Sequence, residues 1–428
     1  MFRMHPIQKG RVAMDGKCMY SLIEKMNFVR VSGTPEEEKV ADILRAECAA
    51  FGLKAEIDEF TTQDGEVTRT YLEVLEPYRK TYEAKAYRRS ASLEATAEME
   101  YAEDALPVNL LDAKGKIIYI NTPVGKKNYE QLIKAEPACV IAGDGDMLDH
   151  LDETDLQPGM LRPVFTDPFD KRLCVVTVRK RDLYEMIVKG ASKARVGVES
   201  RDFENTSRNV TAFIPGTKRP EEIIAFTAHM DSTQFSHGCY DNAAGSAILM
   251  ELARHYMLNP PERSLRFIWT GSEERGLLGS KHFVAANEDE VKKTRLCINC
   301  DLAGSPAGHE FAIVTGPKEL TDHIDMLMKE EGYAVETRTD TYSSDCIPFA
   351  DSGVPAVSIG RFGTPGMSYI HSRRDVIDYV CAPSLEKTGR IVLLFAERMN
   401  RAACLPFERK IPDDIRKKVD EYLSKKGV

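Results

Sequence analysis

Histidine, aspartate and glutamate recur in this chain where a metal ion would need them. The run HMDSTQFSHGCYDN sets His229, Asp231 and Asp241 directly after the apolar stretch EIIAFTA. RSLRFIWTGSEERGLLGS then supplies Glu273 and Glu274, RLCINCDLAG supplies Asp301, and YIHSRRD supplies His371. Imidazole and carboxylate together suit a zinc-type divalent cation. Carboxylates gathered near a core without cations would repel one another and lose hydration. Asp241, Glu274 and Asp301 bring three negative charges, which favours a pair of divalent cations over one. Two-metal hydrolytic sites hold their ions roughly 3.5–4 Å apart, a spacing that a shared carboxylate can impose. Asp241 is the expected bridge.

Each of these residues follows a hydrophobic segment that reads as a buried strand. In open α/β sheets ligands bind at the carboxyl ends of strands, so residues distant in sequence can meet there. After residue 203 strand-like and helical segments alternate: EIIAFTAH with AAGSAILMELARHYML, RFIWTG with GLLGSKHFVAAN, FAIVTG with LTDHIDMLMKEEG, and PAVSIGR with SLEKTGRIVLLFAERM. This predicts an α/β fold, a mainly parallel mixed sheet covered by helices on both faces. Upstream, helices are expected over 16–27 and 35–52, the second capped by Thr34 and closed at Gly52, before the strand KAEIDEFT. The final element, IPDDIRKKVDEYLSKKG, reads as a polar helix. Between 82 and 202 the short strands KGKIIYIN, ACVIAG and LCVVTVRK with the helix RDLYEMIVKGA predict a smaller, β-rich inserted domain. Segments 1–81 and 203–428 would then form the catalytic domain.

Composition narrows the partners. A net charge of −9 without a long basic run argues against nucleic acid and anionic membranes. No segment approaches the roughly 20 apolar residues that span a bilayer, and the N-terminus lacks the apolar core of a secretion signal. Ten scattered cysteines point to a reducing, cytoplasmic location rather than a disulfide framework. Cys297 and Cys300, in CINC, would face opposite sides of a strand at roughly 10 Å, too far for a disulfide. No internal repeat suggests a solenoid, and a homo-oligomer is compatible with the sequence.

The ordered set of H-x-D, DN, EE, D and H resembles the di-zinc aminopeptidases of metallopeptidase family 28, over about 17–62 and 205–402. The insert is similar to the protease-associated domain that some members carry. The resemblance implies the zinc-dependent exopeptidase fold, two zinc ions or other divalent transition metals, and peptides as substrates cut near a free N-terminus. His229, Asp241 and Asp301 would hold one ion, and Asp241, Glu274 and His371 the other. Glu273 would accept the proton of the attacking water. Asp231, two residues beyond His229 on an extended chain, would orient the imidazole, and Tyr342 is the candidate to assist the oxyanion.

Cys346 stands where a histidine is common in that family and is expected to be a small buried helix residue. Arg361 is expected at the surface, and His237, His255, His282, His309 and His323 as ordinary loop histidines. Glutaminyl cyclases share the fold and most of these ligands, so intramolecular acyl transfer with one zinc is the alternative chemistry. A non-catalytic binding module on the same scaffold is a third reading.

Overall fold

The computed structural model describes residues 14–147 and 156–423. The beginning of the chain, read above for a secretion signal, and the last residues of the polar C-terminal helix lie outside the described residues. The chain divides into two compact units: the described residues up to Phe60 with those from Thr206 onward, and Thr61–Asn205. Residues 61–81, expected with the catalytic domain, fall in the second unit. The strand Ala55–Glu76 runs on unbroken past residue 60, and Thr62 and Thr68 bond to the carbonyls of Asn205 and Glu199.

In the first unit the sheet uses β1 (the end of Lys193–Ile214), β2 (Arg219–His229), β3 (Arg263–Thr270), β4 (Thr294–Cys300), β5 (Gly308–Thr315), β6 (Val335–Thr339) and β7 (Ala356–Gly363). Their spatial order is β6-β5-β7-β4-β2-β3-β1. β3, β2, β4 and β7 are parallel neighbours, whereas β1 and β5 pair antiparallel with β3 and β7. The sheet is therefore mixed and mainly parallel, as expected.

Side-chain alternation divides the core between the two faces. Ile224, Phe226, Phe267, Trp269, Leu296, Ile298 and Val357 pack on one face with helices α1 (Gly16–Met26), α2 (Pro35–Ala50), α3 (Ala244–Leu258) and part of a long helix, Ala382–Arg401. Ala225, Ile268, Cys297 and Ala356 pack on the other with Phe283 and Phe349. A strand covered on both faces is apolar throughout, which is why EIIAFTA is one continuous hydrophobic run. Cys300 belongs to the first face and Cys297 to the second, and both are free thiols, as their spacing predicts. Cys346, in the short helix Cys346–Asp351, is buried on the second face.

Thr34 does occupy the N-cap position of α2, but its hydroxyl donates to the Val31 carbonyl. Glu37 instead reaches back to the Gly33 N–H at 2.8 Å, so the acid rather than the threonine caps the loop.

The second unit has its own sheet. Leu93–Tyr101, Ile117–Ile120, Cys139–Asp144 and Val175–Arg179 run parallel in that order, with helix Lys126–Lys134 between the second and third and helix Lys180–Val188 directly after the last. Ile117, Ile141 and Val176 fill one side, Ile118, Val140 and Val175 the other. Among the described residues no helix is long and apolar enough to cross a membrane.

Candidate metal centre

The four parallel neighbours β3, β2, β4 and β7 each end beside a residue singled out by the sequence. His229 is the last residue of β2, Glu273 and Glu274 follow β3, Asp301 follows β4 directly, and His371 lies in the loop after β7. Parallel strands align their carboxyl ends on one side, and neighbours are only about 4.8 Å apart, so the topology gathers these residues.

Asp241 lies at the centre. Its Oδ1 is 3.0 Å from His229 Nε2 and its Oδ2 is 3.2 Å from His371 Nε2. Each imidazole meets a second carboxylate: Asp301 Oδ1 is 3.6 Å from His229 Nε2, and Glu274 Oε2 is 3.0 Å from His371 Nε2. His229, Asp241 and Glu274 each offer a ligand atom, all within 4.8 Å of one another. Asp301 Oδ1 is buried and makes no hydrogen bond among the described residues. A buried carboxylate oxygen without a donor is costly unless a cation meets it, and this nitrogen and oxygen donor set fits a zinc-type ion.

Asp231 does more than was expected of it. His229 Nδ1 is nearer the Asp231 carbonyl, at 3.1 Å, than its carboxylate, at 3.5 Å. The carboxylate accepts the backbone N–H groups of Glu273 and Glu274 at 3.1 and 3.3 Å and the Ser32 hydroxyl at 3.0 Å. It therefore sets the turn that carries both glutamates. Tyr342 packs its ring on Phe311 and Phe362, and burial, then Asp301 and Asp241, push its hydroxyl up.

Several supporting residues were not identified from sequence. Asn242 donates to the Cys300 carbonyl at 2.8 Å and accepts from the Gly245 N–H at 2.9 Å, tying the Asp241 turn to the end of β4 and the start of α3. The Asp241–Asn242 peptide is cis. Asp375 accepts the N–H groups of Tyr240 and Asp241. Arg30 is fully buried beneath the loop after β2, donating to the carbonyls of Met230, Gly238 and His237. Asp345 accepts from Thr270 at 2.5 Å, while its other oxygen is buried and has no hydrogen-bond partner among the described residues. The acid of HSRRD, the asparagine of the DN pair and the Ser344-Asp345 pair, which resembles the family's, were visible in the sequence without a role assigned, but Arg30 had no local signal.

Two other expectations are corrected. Arg361 is buried, not at the surface, and pairs with Glu310 at 2.8 Å. Nor are four of the five histidines loop residues: His255 is buried in α3 and meets Glu397 at 3.2 Å, His282 lies in the helix Leu278–Ala286, His309 in β5 and His323 in the helix Lys318–Glu330. His237, His282 and His309 bond to Asn27, Asp58 and Glu336, away from the cluster.

The electrostatics report excess negative charge. Burial alone would lower the His229 imidazole, but Asp231, Asp241 and Asp301 outweigh it and raise it well above its ordinary value. Burial likewise opposes His371, yet Asp241 and Glu274 push it up to about 11. Burial would raise Asp241, but the two imidazoles hold it below the usual carboxylate range. Glu273, Glu274 and Asp301 are all raised, by burial first. For Glu273 the neighbouring carboxylates Glu274, Asp345 and Asp301 add to it. Such a cluster can hold cations and can accept a proton.

Comparison with known proteins is consistent with this chemistry. Residues 209–396 match the model of Peptidase family M28. The chain is 26% identical over 401 residues to Aminopeptidase YwaD of Bacillus subtilis (strain 168), covering 88% of this chain and 83% of that relative. It is also similar to the solved aminopeptidase from Aneurinibacillus sp. strain AM-1, with a TM-score of 0.73 and 25% identity over 94% of this chain and 96% of that one. BSAP, a zinc aminopeptidase from Bacillus subtilis, has the same fold, with a TM-score of 0.75 at 22% identity over 94% and 99% of the two chains.

Proposed function

Because this chain belongs to peptidase family M28 through residues 209–396, we propose that it is a zinc-dependent aminopeptidase, hydrolysing the peptide bond next to a free N-terminus. One observation carries the reading: Asp241 turns one oxygen to His229 and the other to His371. That is the disposition of a carboxylate shared between two ions. His229, Asp241 and Asp301 would hold one zinc, and Asp241, Glu274 and His371 the second.

When bound, zinc supplies Lewis acidity, activating water near neutral pH and stabilising negative charge on the scissile carbonyl oxygen. The chain's own residues do the rest. Glu273 takes a proton from the attacking water and passes it to the leaving amine as the carbon–nitrogen bond breaks. Burial makes its carboxylate a stronger base and lets it keep the proton until the amine departs. Asp231 fixes the turn that presents it. Tyr342, with its hydroxyl held protonated, would donate to the oxyanion.

The second unit we read as a protease-associated-like insert, from its strand and helix succession. Ten free cysteines, most of them buried, support a reducing compartment, in keeping with the cytoplasm.

The test is bound metal per chain, measured with cleavage of a panel of aminoacyl and N-terminal glutaminyl substrates before and after chelation. Two ions per chain with chelator-sensitive release of N-terminal residues is expected. One ion with cyclisation of N-terminal glutamine would instead establish the cyclase, and no metal the inert scaffold.

A further inference from the structure

Asp375 lies four residues beyond His371 in the loop after β7, buried to 1% exposure. Its two oxygens accept two consecutive backbone N–H groups, Tyr240 at 2.7 Å and Asp241 at 3.0 Å. The same short loop sends His371 Nε2 to within 3.2 Å of the Asp241 side chain. Asp241 is thus gripped at both ends, its carboxylate by His371 and its amide by Asp375. The loop is in turn braced within itself, where the Asp375 N–H donates to the Ser372 carbonyl at 3.0 Å. It is also braced through Tyr240, whose hydroxyl donates to the Arg361 carbonyl and accepts the Gly363 N–H.

The arrangement repeats one seen across the site. Asp231 takes the consecutive N–H groups of Glu273 and Glu274 in the same manner. In each case a buried carboxylate fixes the backbone of the residues that carry the chemistry, without being one of the five residues that reach for metal. Two consecutive backbone N–H groups held by the two oxygens of one carboxyl group are directional bonds, so each aspartate restricts the orientation of the turn it holds. The Asp241 turn needs this more than most, since Gly238 before it is left-handed at φ 57 and Asp241 and Asn242 have non-helical dihedrals.

Resting on the metal reading above, we propose that Asp375 is a positioning residue that presents Asp241 as the shared ligand, coupling the His371 loop to the Asp241 turn so that the two ion positions form together. Groups that orient metal ligands from behind typically contribute about 10- to 100-fold in metal affinity. Asp375→Asn keeps the shape but offers an amide hydrogen to one of the two N–H groups. Asp375→Glu keeps the carboxyl group and displaces it by a methylene.

The experiment is calorimetric zinc titration of the full chain, wild type and both variants, with visible spectra of the cobalt(II) forms. Both variants should bind zinc about 10- to 100-fold more weakly and change the intensity of the cobalt bands, which report ligand geometry. Ser384→Ala, which removes a buried bond to the Ser305 carbonyl elsewhere in the unit, should lower stability while leaving zinc affinity and the cobalt spectrum as in wild type. Wild-type affinity and spectrum in either folded Asp375 variant overturns the proposal, as does an equal loss of affinity in Ser384→Ala. If the wild-type chain binds no divalent metal, the reading beneath it falls as well, a result distinct from failure of the variants alone.

Discussion

Two buried clusters of charge in the first unit obey opposite rules. Around Glu310 everything balances: Arg361 pairs with it at 2.8 Å, Thr388 donates at 2.9 Å, and Lys387 stands at 3.6 Å. The Arg361 guanidinium also reaches the carbonyls of Ser305 and Pro306. At the carboxyl ends of β2, β3, β4 and β7 nothing balances. Asp241, Glu274 and Asp301 face two imidazoles, with the buried carboxyls of Glu273 and Asp345 nearby, and among the described residues the buried Asp301 Oδ1 and Asp345 Oδ1 have no donor. A buried pair with all its bonds made is structure. A buried excess of one sign is a request for a cation or a proton.

The largest effect should come from the unbalanced cluster. Glu273→Gln is expected to cut kcat by about 100- to 10,000-fold while bound zinc per chain stays as in wild type. Retained turnover, measured alongside metal content, would remove Glu273 from the role of base.

The balanced cluster predicts a loss of a different kind. Arg361→Met strands Glu310 and should cost about 3–5 kcal/mol in urea unfolding, whereas Arg361→Met with Glu310→Leu should recover most of it. If the double variant is as unstable as the single, the pair's value is not in its compensation.

Metal should convert the first kind of cluster towards the second. Free zinc at 100 times its Kd should stabilise the protein by about 2.7 kcal/mol, read as a rise in the thermal midpoint that chelation reverses. No shift on metal addition would mean that the excess charge is met in another way.

The smallest effect concerns Glu37, buried beneath the Glu273 turn through Ser207 and pushed up to about 7 by burial. Its folded pKa lies above the unfolded value, so the folded state holds more protons between about pH 4.5 and 7. Its contribution is present below the unfolded pKa and is lost as pH rises through about 7. Glu37→Gln should flatten that part of the stability profile by roughly 1–3 kcal/mol, and an unchanged slope would discount the shift.

Much of this was legible in the chain. The strands β2, β3, β4 and β7 were visible as apolar runs because burial on both faces leaves no polar position, and their ends marked His229, Glu273, Glu274 and Asp301. Asp375 was less legible, because an acid beside two arginines reads as a solvated loop until the turn it holds is in place. Arg361 reads as an ordinary strand-end arginine, and only the antiparallel pairing with β5, which sets Glu310 opposite it, shows its partner. The start of the second unit at Thr61 was hidden for a related reason, since a strand can pass from one compact unit to another without any change in its local pattern.

What the amino-acid order determined by itself is periodicity and chemistry: which stretches must be buried strands or helices, and which side chains at their ends can hold a metal or move a proton. These follow from local rules, a two-residue alternation, a helical repeat and the donor atoms of each residue. The tertiary structure alone decided the pairing of distant parts: that Asp241 faces His229 with one oxygen and His371 with the other, that Asp231 and Asp375 grip the turns behind them, and that Glu310 has a partner while Asp301 has an oxygen to spare. Hydrogen bonds and charge balance depend on a few tenths of an ångström between residues that stand from 12 to 134 positions apart, and strand order, not sequence neighbourhood, sets those distances.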